Sequence, residues 1–295
     1  MSLWTSYLQP KTVEEALRSL QASAGSKAII AGGTDLLLDL EQGRHPHVDL
    51  LVDVTDIEEM RQIRLDVDRL FLGAAVTHRE IVESGTLQEH AACLVDASGL
   101  IGGPQVRNIA TIGGNVAHAL PAADGTIALL ALGAEAQIAS ANGREWRPLG
   151  ELFAGPGETA FDRTGEILVG FRIPACRRNE GSAFQRIMRP QGVAIAILNM
   201  AAWLRETGDG VIQDVRIAVG PAGPRPFRGR KTEAVLLGQR LDKETLHKAT
   251  ASLLEGVSLR TSPHRATSEY RRHLVPVLME RTLKEAQDRA RERPG

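Results

Sequence analysis

Asn108-Ile109-Ala110-Thr111-Ile112-Gly113-Gly114-Asn115 sets a glycine pair directly behind an apolar step, with polar side chains crowded around it. Asn108, Thr111, Asn115 and His118 surround the glycines, and Pro121-Ala122-Ala123-Asp124-Gly125 follows. From Ala122 to Leu132 the chain is rich in Ala and Leu and reads as a helix. Thr and Asn side chains can donate to phosphate oxygens, and Asp124 can accept hydroxyls of a ribose or ribityl chain. Turn chemistry with an N-cap accounts for the same residues.

Upstream lies a second pair, in Ile29-Ile30-Ala31-Gly32-Gly33-Thr34-Asp35-Leu36. The apolar strand Lys27 to Ala31 runs into two glycines, and Thr34-Asp35-Leu36 opens a helix. Glycine admits a positive φ and a close backbone approach. Free N–H groups at a helix start favour an anion, and a pyrophosphate is a natural tenant. Taken alone, this segment reads first as an ordinary strand–helix turn. Two such turns in one chain suit a dinucleotide whose diphosphate is gripped from both sides.

Around these turns the chain alternates. Thr12-Val13-Glu14-Glu15 matches a capping box, and Val13, Ala16, Leu17 and Leu20 line one helical face. Asp49 to Val54 is a strand. Gln62–Leu65 and Leu70–Gly73 flank the turn Asp66-Val67-Asp68 as a hairpin. Thr77 to Glu80 is a second capping box, Leu87 to Leu100 a helix, and Glu135–Ala139 and Glu166–Ile173 are strands. Leu149 to Ala154 is a weak strand. The polar run Ala175 to Gly181 marks the domain boundary. Domains are therefore expected at 1–178, with lobes of about 1–56 and 57–178, and at 179–295. Beyond the boundary, Ala183–Ile187, Ala194–Arg205 and Val211–Val219 read as strands. Helices follow at Lys231–Leu237, Lys243–Glu255 and Thr267–Arg291, the last expected to kink at Pro276.

The composition narrows the function. Of 295 residues, 43% are hydrophobic and 24% charged, as in a soluble globular protein. Lys plus Arg number 35 against 36 Asp plus Glu, so no global field draws the chain to nucleic acid or anionic lipid. Cys93 and Cys176 are too few for an iron–sulfur cluster, so any cluster belongs to another chain. Met1-Ser2-Leu3-Trp4-Thr5 lacks the pattern of a signal peptide, and no apolar run would span a bilayer, so a cytoplasmic location is expected. Gly155-Pro156-Gly157-Glu158-Thr159-Ala160 matches G-x-G-x-x-A but lacks the following helix of a dinucleotide fingerprint, and reads as a loop. His45-Pro46-His47 has no companion ligands and reads as a solvated loop rather than a zinc site. No catalytic residue and no metal site is expected.

Taken together, these segments resemble the FAD-binding subunit or domain of the xanthine dehydrogenase and carbon monoxide dehydrogenase family. The resemblance covers nearly the whole chain. Ala31 to Leu37 is similar to the family's first FAD loop. Gly102 to Asn108, Thr111 to Asn115 and Pro121 to Asp124 resemble its second. Gly165 to Leu168 with Ile173-Pro174 resembles the end of the flavin domain, and Ser268 to Leu274 the C-terminal helix.

The resemblance implies an α+β fold: a two-lobed PCMH-type FAD-binding domain, then a small three-stranded antiparallel sheet with helices, like the carbon monoxide dehydrogenase flavoprotein C-terminal domain. It implies FAD as cofactor, held by Ile30, Ala31, Gly32, Gly33, Thr34, Asp35 and Leu36, with Thr111, Gly114 and Asn115 completing the grip on the diphosphate. Asp124 would bond nucleotide or ribityl hydroxyls, and Ile101 and Leu168 would flank the ring. Arg186 stands where relatives often carry a lysine, and Pro190 interrupts the paired basic residues there, so Arg186 is the candidate flavin-edge contact. An iron–sulfur (2Fe-2S) subunit and a molybdopterin subunit would be partners in a heterotrimer or its dimer. The implied role is electron transfer from iron–sulfur clusters to an external acceptor. A stand-alone flavin oxidoreductase, or a module that kept the fold and lost FAD, are the alternatives.

Overall fold

Lys27-Ala28-Ile29-Ile30 packs residues on both of its faces, so the run makes a strand of a parallel sheet covered on each side. In the computed structural model, which describes residues 2–189 and 195–292, this segment is β2 of a small unit. That unit runs β1 (Trp4–Leu8), α1 (Val13–Ala22), β2 (Lys27–Ile30), α2 (Leu36–Glu41), β3 (Val48–Asp53), with parallel strand order β1-β3-β2. Val13, Ala16, Leu17 and Leu20 are all buried, as their spacing requires. The first capping box is only half formed. Thr12 accepts from the Glu15 N–H, but the Glu15 carboxylate takes the N–H of Lys11, one residue early. Strand β1 was not foreseen: it is an edge strand, mostly exposed, and carries no buried-face pattern.

The middle of the chain forms a five-stranded antiparallel sheet of order β4-β5-β10-β6-β7, with helices packed on it. Its strands and helices are β4 (Ile63–Asp66), β5 (Arg69–Gly73), α3 (His78–Glu83), α4 (Gly85–His90), α5 (Ala92–Leu100), α6 (Pro104–Arg107), α7 (Ile112–Ala117), α8 (Asp124–Ala131), β6 (Glu135–Ser140), β7 (Gly143–Pro148), β8 (Phe153–Gly155), β9 (Glu158–Thr159) and β10 (Ile167–Pro174). The capping box at Thr77 and Glu80 is complete. The single helix expected over Leu87–Leu100 is two. Ala91, fully buried, leaves the helical region at φ −145 and ψ 44, so that Leu87 and then Cys93, Leu94 and Ala97 all reach the core. The weak strand at Leu149–Ala154 is a 3-10 turn over Leu149–Leu152 leading into β8. Pro156-Gly157 is the tip of the β8–β9 hairpin, with Gly157 at φ +78, and no helix follows. Strand β7, unforeseen, is a charged edge strand (Arg144, Glu145, Arg147) of the kind that blunts a sheet edge.

The C-terminal part is an antiparallel sheet, β11 (Glu180–Ile187), β12 (Leu198–Glu206), β13 (Ile212–Gly220) and a two-residue β14 (Phe227–Arg228), which adds a fourth strand to the three expected. Helices α9 (Arg230–Leu236), α10 (Lys243–Gly256) and α11 (Ser268–Arg291) complete it. Helix α11 continues through Pro276, which lies on its exposed face. The carbonyl that lost its donor there therefore faces the solvent side. Leu274, Leu278, Met279, Leu283, Ala286 and Ala290 bury the opposite face. Gly181 lets this helix close on β11, since a Cβ there would lie 2.1 Å from the Ala286 carbonyl oxygen. Among the described residues no helix is long and apolar enough to cross a membrane.

Candidate functional site

The first glycine turn leaves β2 at the carboxyl end of a parallel sheet, the edge at which open α/β sheets bind ligands. Among the described residues, no protein acceptor takes the N–H groups of Gly32, Gly33, Thr34 or Asp35. Gly33 adopts φ +67, which turns the chain into α2. Asp35 heads that helix without a side-chain capping bond. A row of unpartnered donors at a helix start is the donor set that a diphosphate needs.

A hydrogen-bonded knot braces the turn's neighbour. Asp53 pairs with Ile30 across β2 and β3 and accepts from the Thr55 N–H at 2.8 Å, the Thr55 hydroxyl at 2.7 Å and the Tyr7 hydroxyl. The bond to Asp53, then burial, then the Asp53 charge push the Tyr7 phenol up to about 12. The chain after β3 is thus tied down beside the first turn.

The second turn is anchored by backbone. His78 N donates to Ala110 O at 3.0 Å, Ile112 N to Val76 O at 3.0 Å and Gly113 N to Ala74 O at 2.8 Å. Gly113 has no room for a side chain: a Cβ would lie 2.6 Å from both the Ala74 carbonyl oxygen and Cβ. Thr111, buried, caps α7 by accepting from the Gly114 N–H at 3.1 Å. Asn115 Oδ1 accepts from the Thr126 N–H at 3.0 Å and hydroxyl at 3.1 Å, and so caps α8 from outside. In this arrangement Thr111 and Asn115 shape the second turn with their acceptor oxygens. The unpartnered amides come from the first turn. The two turns touch where Gly32 backs onto the Ile109–Ala110 backbone.

The remaining expected residues fall into two places. Ile101, half-buried, follows α5, and Arg107 holds its turn by donating to the carbonyls of Ile101 and Gly102 at 3.1 and 2.9 Å. Leu168 is 7% exposed within the core of the five-stranded sheet, so its side chain does not stand open beside the turns. Asp124 and Arg186 form one buried ion pair. Arg186 Nη1 donates to Asp124 Oδ2 at 2.5 Å, and Asn199 Nδ2 donates to Asp124 Oδ1 at 2.6 Å. Each oxygen of Asp124 thus accepts from a side chain of the C-terminal sheet. Burial pushes the Asp124 carboxyl up, against the pull of Arg186 and Asn199. Arg186 correspondingly faces Asp124 and the Met188 sulfur, not solvent. Pro190 lies outside the described residues.

Asn199 was invisible to sequence reasoning, because a lone Asn at a strand start 75 residues from Asp124 carries no local signal. A cleft of about 360 Å³ lies elsewhere, where α4 and α5 meet β11 and α11. Its Arg289 is already paired with Asp96 and Glu285.

Comparison with known proteins identifies the family. Residues 3–176 match the family model described as FAD binding domain in molybdopterin dehydrogenase, and residues 182–286 match the CO dehydrogenase flavoprotein C-terminal domain. The chain is 32% identical over 287 residues to the xanthine dehydrogenase FAD-binding subunit of Escherichia coli O157:H7, covering 96% of each chain. It is 32% identical over 280 residues to the nicotine 6-hydroxylase medium subunit of Paenarthrobacter nicotinovorans, covering 95% of this chain and 96% of that one. A chain of the carbon monoxide dehydrogenase of Hydrogenophaga pseudoflava superposes with a TM-score of 0.90 at 28% identity, covering 97% of this chain and 98% of that one. With unpartnered amides at the first turn and these two family matches, the chain belongs to the FAD-binding subunits of the molybdopterin dehydrogenases, the xanthine dehydrogenase and carbon monoxide dehydrogenase family of oxidoreductases.

Proposed function

We propose that this chain is the electron-transfer subunit of a molybdenum-containing dehydrogenase, receiving electrons from an iron–sulfur (2Fe-2S) subunit and passing them to an external acceptor. A molybdopterin subunit would complete the complex, as a cytoplasmic heterotrimer or its dimer. Bound FAD supplies the redox chemistry, since a flavin takes electrons singly and releases them as a pair. The protein's part is to hold and orient it. The N–H groups of Gly32 to Asp35 would bind the diphosphate, with Ile30, Ala31 and Leu36 fixing the strand and helix on either side. Thr111, Gly114 and Asn115 would shape the opposing wall, and Ile101 would border the ring.

The observation that carries this reading is the row of unpartnered amides at the head of α2, pressed against a second, rigid glycine turn. No acid–base residue of this chain has to touch the organic substrate. The test is a complex assembled with its iron–sulfur and molybdopterin chains and then stripped of flavin. Substrate should still reduce the clusters, while turnover with the external acceptor stops and returns on adding FAD. Undiminished acceptor turnover in the stripped complex would refute the assignment.

A further inference from the structure

His118 ends α7 and reaches across the gap between the two glycine turns. Its Nε2 lies 3.9 Å from Asp35 Oδ1, and among the described residues no other ion pair links the turns. Both side chains are open to a ligand, 33% exposed for His118 and 60% for Asp35. Asp35 stands at the head of α2, beside the unpartnered amides of Gly32 to Asp35. Its carboxylate makes no capping bond there, so its charge would face an anion bound to those amides. Like charges that close repel, and a cation between them offsets the repulsion. Among the described residues, the side chain placed to supply that charge to Asp35 is His118. Arg163 also lies near this end of α7, and its guanidinium donates to the carbonyls of Ala117 and Gly157 at 3.2 and 3.3 Å.

We propose that His118, protonated, is a diphosphate-binding residue, and that FAD uptake by this chain draws a proton onto its imidazole. The inference rests on the reading of the turns as the FAD site. The sign follows from linkage. A diphosphate beside Asp35 raises the proton affinity of His118, so the bound form holds the proton to higher pH than the free form. The gain in affinity is complete below the free-state titration and is lost as pH rises through that of the complex.

The experiment titrates FAD into the 295-residue chain by flavin fluorescence between pH 6.5 and 9, with calorimetry in two buffers of different ionisation heat. Across that range the wild-type Kd should rise about tenfold, the cost of losing roughly one charge-assisted hydrogen bond, and the buffers should report proton uptake near neutral pH. His118→Gln should bind at the weak alkaline level at every pH, with no proton uptake. His118→Arg should bind tightly and without a slope, since guanidinium does not titrate there. Thermal melting without FAD checks that each variant folds, and the arginine variant keeps the test alive if the glutamine one does not. Wild-type affinity and slope in both variants would overturn the proposal while leaving the FAD site intact. Tight but pH-independent binding by the wild type would overturn it as well. Absence of FAD binding by the wild type at every pH would instead overturn the flavin reading itself.

Discussion

Gly32 stands against the carbonyl of Ile109 with space for nothing larger than hydrogen: a Cβ built on Gly32 falls 2.0 Å from that oxygen and 2.8 Å from the Ala110 Cα. Both sides of this contact are backbone, so no rotamer can relieve a clash. Gly32→Ala must therefore part the two turns. FAD affinity should fall by at least about tenfold and the melting temperature should drop. Gly114→Ala is the contrast. There a Cβ would meet only the Thr111 hydroxyl at 3.2 Å, which can yield by a few tenths of an ångström. It should lose no more than about threefold in affinity. Parallel FAD titrations and melts decide; equal losses in the two variants would mean that inter-turn contact does not hold the site.

Thr111 gives the second prediction. Its hydroxyl accepts from the Gly114 N–H at 3.1 Å and is the N-cap of α7. Thr111→Val keeps the shape and removes the acceptor. It should cost about 1 kcal/mol in urea denaturation, while Thr111→Ser retains most of the stability. A silent valine variant would show that the cap does not hold the turn.

Much of this was legible in the chain, and the reasons differ by element. Val13, Ala16, Leu17 and Leu20 announced their helix because one face is buried and the other is not. The two glycine pairs announced their turns because Gly33 needs a positive φ and Gly113 a close approach, needs that only glycine meets. The break at Ala91 was not legible. An alanine carries no turn chemistry, and the break is set by what its neighbours bury on each side. Strands β1 and β7 were missed because edge strands with exposed or charged faces lack periodicity. Asp124 was readable as a polar group near the turn. Its partners Arg186 and Asn199 lie 62 and 75 residues away, so only the tertiary fold reveals that both its oxygens are engaged.

That engagement yields the third prediction. With side-chain exposures of 6% and 7%, Arg186 and Asp124 form a buried pair, and removing one partner strands the other's charge. Arg186→Met should destabilise the protein by about 3–5 kcal/mol. Adding Asp124→Leu should recover a large part of that loss, because the stranded carboxylate goes with it. If Arg186 instead acts mainly at the flavin edge, the single variant would leave stability unchanged and shift only the flavin's reduction potential. Denaturation and potentiometry on the same samples separate the two.

His78 links the second turn to pH. Its ring is 1% exposed, with Nδ1 3.2 Å from the Ser98 hydroxyl, and its backbone N–H holds the Ala110 carbonyl at 3.0 Å, one residue before Thr111. Burial first, and the Arg107 charge second, hold the imidazole down to about 4 from an ordinary 6.5. Between those two values the unfolded chain binds a proton that the folded chain refuses. Stability from this residue is therefore complete above pH 6.5 and is lost as pH falls toward 4. The depression corresponds to at most about 3 kcal/mol. His78→Gln, which cannot charge, should unfold in urea with a smaller loss between pH 7.5 and 4.5 than the wild type, by about 2–3 kcal/mol. Because the same residue pins Ala110, wild-type FAD should also dissociate more readily in the acid part of that range than FAD on the variant. Identical acid losses in the two proteins would mean that His78 is not held neutral, and that the second turn loosens in acid for another reason.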